Sequence, residues 1–401
     1  MTTSTVVFDP FSDDHYLDPY DTYRRLRDEA PVYYSEQYEF YALSRHDDVA
    51  AAFKNHEVYS SASGVTLEEI KSDEHLAGKS IIWMDPPDHR QMRSLVNKVF
   101  TPRAMQRMEA VVHDTISSYL SGVDTSQFDV VDDFATYFPV EIITTMLGVP
   151  QQHRQQVRIW QDIALQRTPG QVKTSQAGVD AMMQIGALYY ELIQQRREDP
   201  QQDMITSLIA AEVERDDGSR MSLDDMEIAG FCVLLGGAGA ETVTKLIGTA
   251  SVLFSRHREQ WEQLRHDRSK IPAAVEEILR YEGPVQYDMR CTKSDVELHG
   301  TRIPAGSAVM LLNASANRDE RAFTAADTFD INRDRAQAQN LGFGYGIHSC
   351  LGAALARMES RIALDHLLDA LPEFEVDYSN LQRVAMTSVN GYSHVPVRRT
   401  R

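Results

Sequence analysis

Leu341-Gly342-Phe343-Gly344-Tyr345-Gly346-Ile347-His348-Ser349-Cys350-Leu351-Gly352 is a glycine-rich loop that delivers a cysteine to the start of a helix-forming run, Ala353 to Leu371. A glycine loop before a helix suggests a phosphate cradle. The stretch nevertheless contains neither Gly-x-Gly-x-x-Gly nor Gly-Lys-Ser/Thr. What it offers instead is a thiol at a helix N-terminus, where the positive end of the helix is expected to lower the pKa and favour thiolate. Glycines at 344, 346 and 352 keep side chains away, so a flat ligand could approach the sulfur closely.

A single thiolate is one way of holding haem iron; the alternative is a buried, inert cysteine beside a tight turn. Phe343-x-x-Gly346-x-His348-x-Cys350-x-Gly352 resembles the haem-binding loop of the cytochrome P450 family. The resemblance implies a mainly α fold with small β-sheets, built as a helical core around a buried haem b (iron protoporphyrin IX). It makes Cys350 the axial iron ligand and puts His348 and Gly352 in the cofactor site. Tyr345 and Ser349 differ from the commoner loop residues, and Ser349 is expected to alter hydrogen bonding near the sulfur and hence the redox potential.

Three further motifs occur in the family's order. Asp85-Pro86-Pro87-Asp88-His89-Arg90-Gln91-Met92-Arg93 starts a helix at its prolines and sets His89 and Arg93 four apart on one face. By itself that is a solvated polar face; by resemblance the two hold a haem propionate. Ser222-Leu223-Asp224-Asp225 caps a helix that is apolar all round, as a central helix is. Gly236, Gly237 and Gly239 cost it roughly 1 kcal/mol each relative to alanine. Close helix packing would explain them. The preferred reading is close approach of a large flat cofactor, with a kink that opens a groove. Ala238-Gly239-x-Glu241-Thr242 resembles the family's oxygen-activation segment. Proton delivery needs an acid and an alcohol, so Glu241 is expected to pass protons from solvent and Thr242 to order the last donor. Val243 stands where the family has a second Thr or Ser. Glu277-Ile278-Leu279-Arg280 is, in isolation, an ordinary surface pair. By resemblance it is a buried structural pair joined by Arg333.

Along the rest of the chain, Val32–Tyr34 and Phe40–Leu43 read as strands, and Ser60–Ser80 as a long loop with one helical turn at Leu67–Ile70. Met105 to about Glu214 is mostly helical, with breaks at 122–124, 148–150, 169–170 and 199–200. The Pro169-Gly170 break separates a helix pair that in P450s forms a lid, expected to move here. Ser255 to Arg280 is helical with a break at Pro272. Val296–Leu298 and Ile303 onward flank a turn at His299-Gly300, and Ser388–Val397 is β-like around Asn390-Gly391. Arg290 occupies the position of a propionate-binding arginine. Val233, Gly237, Ala238, Val285, Met289 and Tyr392 are the expected substrate-pocket residues. The whole chain, 1–401, is expected to be one domain with β-rich portions near 30–45, 285–312 and 385–397.

The totals fit. At 401 residues, 42% hydrophobic and 25% charged, the chain is an ordinary globular one, and a net charge of −19 argues against nucleic acid as a partner. Cys232, Cys291 and Cys350 have neither zinc nor redox spacing, which reads as a reducing cytoplasm. No signal peptide is visible at 1–10, and the longest apolar run, Ile228–Ala240, is too short to span a bilayer. The chain therefore resembles the soluble bacterial type, without a membrane anchor. The expected activity is a monooxygenase that inserts one atom of O2 into a small apolar guest, a terpenoid, steroid or polyketide-like molecule. The 401 residues hold no visible flavin or iron–sulfur domain, so electrons are expected from a separate ferredoxin and its NAD(P)H-dependent reductase. The alternatives are a peroxide-driven peroxygenase, which would replace the acid–alcohol pair, and a haem protein that binds ligand without turnover, which would not need it.

Overall fold

Asp224 starts the longest helix. Its carboxylate accepts from the Glu227 N–H, and the Glu227 carboxylate accepts from the Asp224 N–H, a complete capping box. The helix then runs from Asp225 to Arg256 through the middle of the molecule. The computed structural model describes residues 6–72, 80–98, 100–214 and 219–400; the part of the Ser60–Ser80 loop at 73–79 lies outside them.

Preceding this helix are α1 (Asp13–Leu17), α2 (Tyr20–Glu29), α3 (His46–Lys54), α4 (Leu67–Ile70), α5 (Asp88–Asn97), α6 (Pro102–Ser121), α7 (Phe138–Leu147), α8 (Gln151–Leu165), α9 (Gln176–Glu198) and α10 (Met204–Ile209). The central helix is α11, followed by α12 (Arg258–His266), α13 (Ile271–Glu282), α14 (Asn313–Ala316) and α15 (Ala353–Ala370). Strands β1 (Val32–Ser35), β2 (Phe40–Leu43) and β3 (Tyr59–Ser60) join β7 (Asp288–Thr292) and β10 (Ala308–Leu311) in one sheet, ordered β1-β2-β10-β7-β3. Smaller sheets hold β4 (Gln127–Asp129), β5 (Glu212–Glu214), β6 (Arg220–Ser222), β8 (Val296–Leu298), β9 (Thr301–Ile303), β11 (Phe374–Val376), β12 (Gln382–Arg383), β13 (Tyr392–His394) and β14 (Pro396–Arg399).

The helical turn at Leu67–Ile70 forms because Thr66 and Glu69 make a capping box. The hairpin β8–β9 turns at His299 and Gly300, both at positive φ. Pro272 does not break a helix: it sits in the first turn of α13, where its missing N–H costs nothing. The expected β-rich portions at 30–45 and 285–312 meet in the five-stranded sheet, whereas the C-terminal β-portion pairs in two other sheets. Strands β4 and β5 lie in a stretch whose sequence reads as helical; each is only three residues long, below what a periodicity signal resolves.

By length and composition α11 could cross a membrane, but it is the central core helix, packed against α7, α8, α9, α13 and α15. The helix is continuous through its glycines. Packing explains two of them: a Cβ on Gly236 would lie 2.6 Å from Gln161 Nε2, and one on Gly239 would lie 3.2 Å from Ile143 Cγ1. Gly237 has nothing within 4 Å, and Gly239 also lines the cavity beneath the helix.

Candidate active site

The loop before α15 is closed by its own backbone, with Cys350 N–H donating to Phe343 O at 2.9 Å. Gly346 has φ +71°, and a Cβ there would stand 2.3 Å from Phe53 O. Only glycine fits this turn, and the turn presents the Cys350 side chain to a cavity of about 280 Å³. Opposite the loop, one face of α11 lines the same cavity, and Phe231, Leu235, Ala238 and Thr242 on it recur at helical spacing.

His89 and Arg93 from α5, Arg290 from β7 and His348 from the loop also line this cavity, so four expected residues from three separate stretches of chain converge. The His89 and His348 rings lie 4.3 Å apart, and the Nε2 of each is buried without a hydrogen-bond partner. Arg93 Nη2 donates to Ser349 O at 2.9 Å and Arg290 Nη1 to Met289 O at 2.7 Å, while no ion pair is formed by either among the described residues. Burial lowers the Arg290 pKa, and burial lowers that of Arg93. Burial, then Arg290 and His89, hold His348 at about 3; burial and Arg93 lower His89. Buried guanidiniums without counter-charge are costly. Two cations and two unpartnered imidazole nitrogens around one cavity therefore fit a ligand carrying two carboxylates, as haem does.

The thiol behaves differently from the sequence expectation. Burial raises the Cys350 pKa and outweighs the Gly352 N–H, Arg93 and Arg357, which favour thiolate. The helix end and its amide are present, and the low dielectric of the cavity wall outweighs them.

Glu241 and Thr242 are adjacent in sequence and diverge in space. Thr242 faces the cavity, its Oγ1 donating to Ala238 O at 3.0 Å. Glu241 is outside the lining. It is buried on the flank of α11, 3.1 Å from Lys245 Nζ and within hydrogen-bonding reach of Asp162 on α8. Burial pushes its pKa up, but Lys245, Asp162 and Arg158 together outweigh this and lower it.

Glu277, Arg280 and Arg333 are brought together as expected. Arg280 grips Glu277 bidentately at 2.8 and 2.7 Å, and Arg333 Nε lies 3.1 and 3.2 Å from the two carboxylate oxygens. Of the pocket residues, Ala238 and Val285 line the cavity; Val233, Gly237, Met289 and Tyr392 do not. Val233 and Gly237 lie more than a quarter turn from Ala238 on α11. Met289 alternates with Asp288 and Arg290 on β7, so it points to the other face of the sheet. Tyr392 is buried elsewhere, its hydroxyl accepting from Arg383 at 2.9 Å. The sequence reading missed Asp288, Phe231, Leu234, Leu235, Ile81 and Ile82. Strand alternation from Arg290 would have found Asp288, and helical spacing from Thr242 would have found Phe231 and Leu235.

Comparison with known proteins agrees with this geometry. A family model described as "Cytochrome P450" matches residues 14–391. The chain is 39% identical over 394 residues to putative cytochrome P450 123 of Mycobacterium tuberculosis, covering 98% of this chain and 96% of that one. The chain belongs to the cytochrome P450 family. It is also 34% identical over 403 residues to the vitamin D(3) 25-hydroxylase of Pseudonocardia autotrophica, covering 99% and 97%. The crystal structure of the P450 CYP109E1 from Bacillus megaterium in complex with testosterone superimposes with a TM-score of 0.83 at 32% identity, covering 96% of this chain and 100% of that one. The protein is a P450 monooxygenase, and the family implies haem.

Proposed function

We propose that this P450 oxygenates a steroid or similarly sized terpenoid, drawing electrons from a separate ferredoxin and its NAD(P)H-dependent reductase. The observation that carries the reading is one cavity with the Cys350 sulfur on one wall, Thr242 on the other, and unpaired cations at its edge. A steroid is favoured over the other apolar classes because the distal wall is aliphatic and aromatic, and because one relative is named a vitamin D(3) 25-hydroxylase and one similar structure was solved with testosterone. Thr242 and Asp288 are the polar exceptions; the Asp288 Oδ2 accepts from Asn313 Nδ2 at 2.7 Å.

In this proposal Cys350 ligates the iron of haem b, with Gly352 leaving room beside the sulfur, and His89, Arg93, Arg290 and His348 hold the two propionates. Haem so held supplies the oxidising chemistry, activation of O2 at a thiolate-ligated iron. The Gly352 N–H donates towards the sulfur and tempers its charge. Thr242 spends its hydroxyl proton on Ala238 O, so its lone pairs accept from a water on the cavity side and orient that water's protons. Glu241, held behind the helix by Lys245, supplies protons to that water. Phe231, Leu234 and Leu235 exclude bulk water from the same wall. The chain functions as one P450 unit over 1–401, in the cytoplasm.

Absorption titration of the ferric protein with testosterone, a monoterpene, a long-chain fatty acid and a macrolide tests the substrate class. A low-to-high-spin Soret shift for the steroid alone is expected; a shift only for the fatty acid or the macrolide refutes that class. Thr242→Ala tests the proton reading. It should leave the shift intact and lower product formed per NAD(P)H, and unchanged coupling would refute it. Steady turnover on NAD(P)H without added partners would contradict the separate electron supply.

A further inference from the structure

Among the described residues, five of the ten large hydrophobic side chains left exposed lie on one helix hairpin: Ile159 on α8, and Val179, Met182, Met183 and Tyr190 on α9. Single exposed apolar residues are ordinary, whereas a cluster marks a contact. On α9 the cluster is ordered. Val179, Met183, Gly186 and Tyr190 are spaced 4, 3 and 4, the seam of a helix that pairs with another helix. With Met182 they fall within one arc of about 100°. That arc lies beside the face of Ala181, Ile185, Tyr189 and Leu192, which is already buried against the molecule. From Ala181 to Tyr190 the helix carries no charge, in a chain whose net charge is −19. A Cβ on Gly186 would have nothing within 4 Å, so the middle of the seam is an open notch.

We infer that this outer seam of α9 is the contact of a weak two-fold dimer of the chain, with the two copies of α9 antiparallel. Laying the seam on itself in reverse sets Val179 against the partner's Tyr190 and Met183 against the partner's Gly186. The flexible thioether then fills the glycine notch. Charge fixes the direction. Lys173 is exposed just before α9, and Glu198 and Asp199 are exposed at its C-terminal end. None of the three joins an ion pair among the described residues, whereas Arg196 and Arg197 are already paired with Asp203 and Asp225. An antiparallel pair brings each Lys173 towards the acids of the other copy, twice over; a parallel pair would set like charges together. A two-fold contact requires such a patch, complementary to itself. A lipid surface fits less well. Helices that lie on membranes carry Lys and Arg beside the apolar face, but the polar flank of α9 holds Asp180, Glu191 and Glu198. Area sets the strength. The overlap from Gln176 to Ile193 is about 27 Å long and about 10 Å wide, and with Ile159 at its side it buries roughly 800 Å² in total, the range of transient complexes. The dissociation constant is therefore expected on the order of 10–100 μM.

Sedimentation velocity of the full-length holoprotein, from low to high micromolar concentration, tests this. Wild type should pass from monomer to dimer across the range. Met183→Glu puts like charges into the seam and should weaken the dimer at least about tenfold. Gln195→Glu adds the same charge to the opposite exposed side of α9 and should leave the dimer unchanged. Circular dichroism and the Soret band confirm that the variants are folded and loaded. A short bismaleimide linker reads the geometry: Met183→Cys should be captured as a cross-linked dimer, and Gln195→Cys and wild type should not. A wild type that stays monomeric throughout, a dimer that Met183→Glu leaves intact, or equal cross-linking at 183 and 195 overturns the inference. So does binding of monomeric wild type to phosphatidylcholine–phosphatidylglycerol vesicles that Met183→Glu abolishes, which would assign the stripe to lipid. If Met183→Glu does not fold, Gly186→Lys decides. Its Cβ meets nothing within the monomer, it replaces a glycine in a helix interior, and it fills the notch; unchanged dimerisation in that variant overturns the inference.

Discussion

Glu276 and Glu277 are consecutive residues of α13, each paired with an arginine, and their removal should cost very different amounts. Glu277 is 4% accessible and its partners Arg280 and Arg333 are 3% and 7% accessible. Its carboxylate takes two bonds from Arg280, two contacts from Arg333 Nε and the Asp330 N–H at 2.9 Å. Both arginines also donate to backbone carbonyls, Arg280 to Asn317 and Ala326 and Arg333 to Thr324 and Ala325, so they cannot swing out to water without breaking the meander they hold. Glu277→Ala therefore leaves two guanidiniums buried without counter-charge, a change worth about 3–5 kcal/mol. Glu276 pairs with Arg357, which is 46% accessible. Glu276→Ala should cost roughly 0–1 kcal/mol, as exposed pairs do. The two alanines enter the same helix one residue apart, so propensity cancels. Urea unfolding of the haem-loaded variants, followed by far-UV circular dichroism under one set of conditions, reads the difference as a gap of at least about 2 kcal/mol, roughly 30-fold in the unfolding equilibrium. Variants within about 1 kcal/mol of each other, with equal slopes, would refute the claim that the triad is desolvated and geometrically trapped.

Gly346→Ala should cost about 2–5 kcal/mol, from positive φ and a 2.3 Å clash with Phe53 O, and should lower haem content per protein; in Gly230→Ala on α11 nothing lies within 4 Å of the added carbon, and that variant should gain up to about 1 kcal/mol. His15, packed edge-on among Phe8, Tyr16 and Tyr23, has its pKa lowered by burial to about 4. It is neutral when folded and protonates first when unfolded, so its stabilisation is complete above pH 6.5, falls between 6.5 and 4, and is gone below that, about 3 kcal/mol in all. His15→Phe should flatten that part of the pH–stability curve; an unchanged slope would refute the assignment. The 166–175 connection is tied down by Thr174 N and Oγ1, both donating to Glu68 Oε2 at 3.0 and 3.2 Å, and by Gly170 N donating to Phe11 O at 2.7 Å. Glu68→Gln should speed hydrogen exchange in 167–178 while leaving the core helices unchanged; equal protection in both variants would show that the lid does not depend on this contact.

The parts of this protein that its sequence determines are those in which one short stretch carries the whole physical requirement. Gly346 needs positive φ and a missing Cβ, Cys350 must precede a helix, and Glu277 must sit one turn from Arg280; each is local, and together they named the fold and the centre of the site. The first residues of α11 were equally legible, because Asp224 and Glu227 satisfy each other within four positions. Tertiary structure decided what depends on facing. Glu241 and Thr242 are neighbours in sequence, but successive residues turn about 100° around a helix, so one reached the cavity and the other met Asp162 and Arg158 on α8. Likewise Met289 lost its place to Asp288 and Arg290 because a strand sends alternate side chains to opposite faces. The Cys350 thiol was expected to ionise at its helix end, yet burial prevails; desolvation is a property of the assembled cavity, and no single stretch of chain contains it.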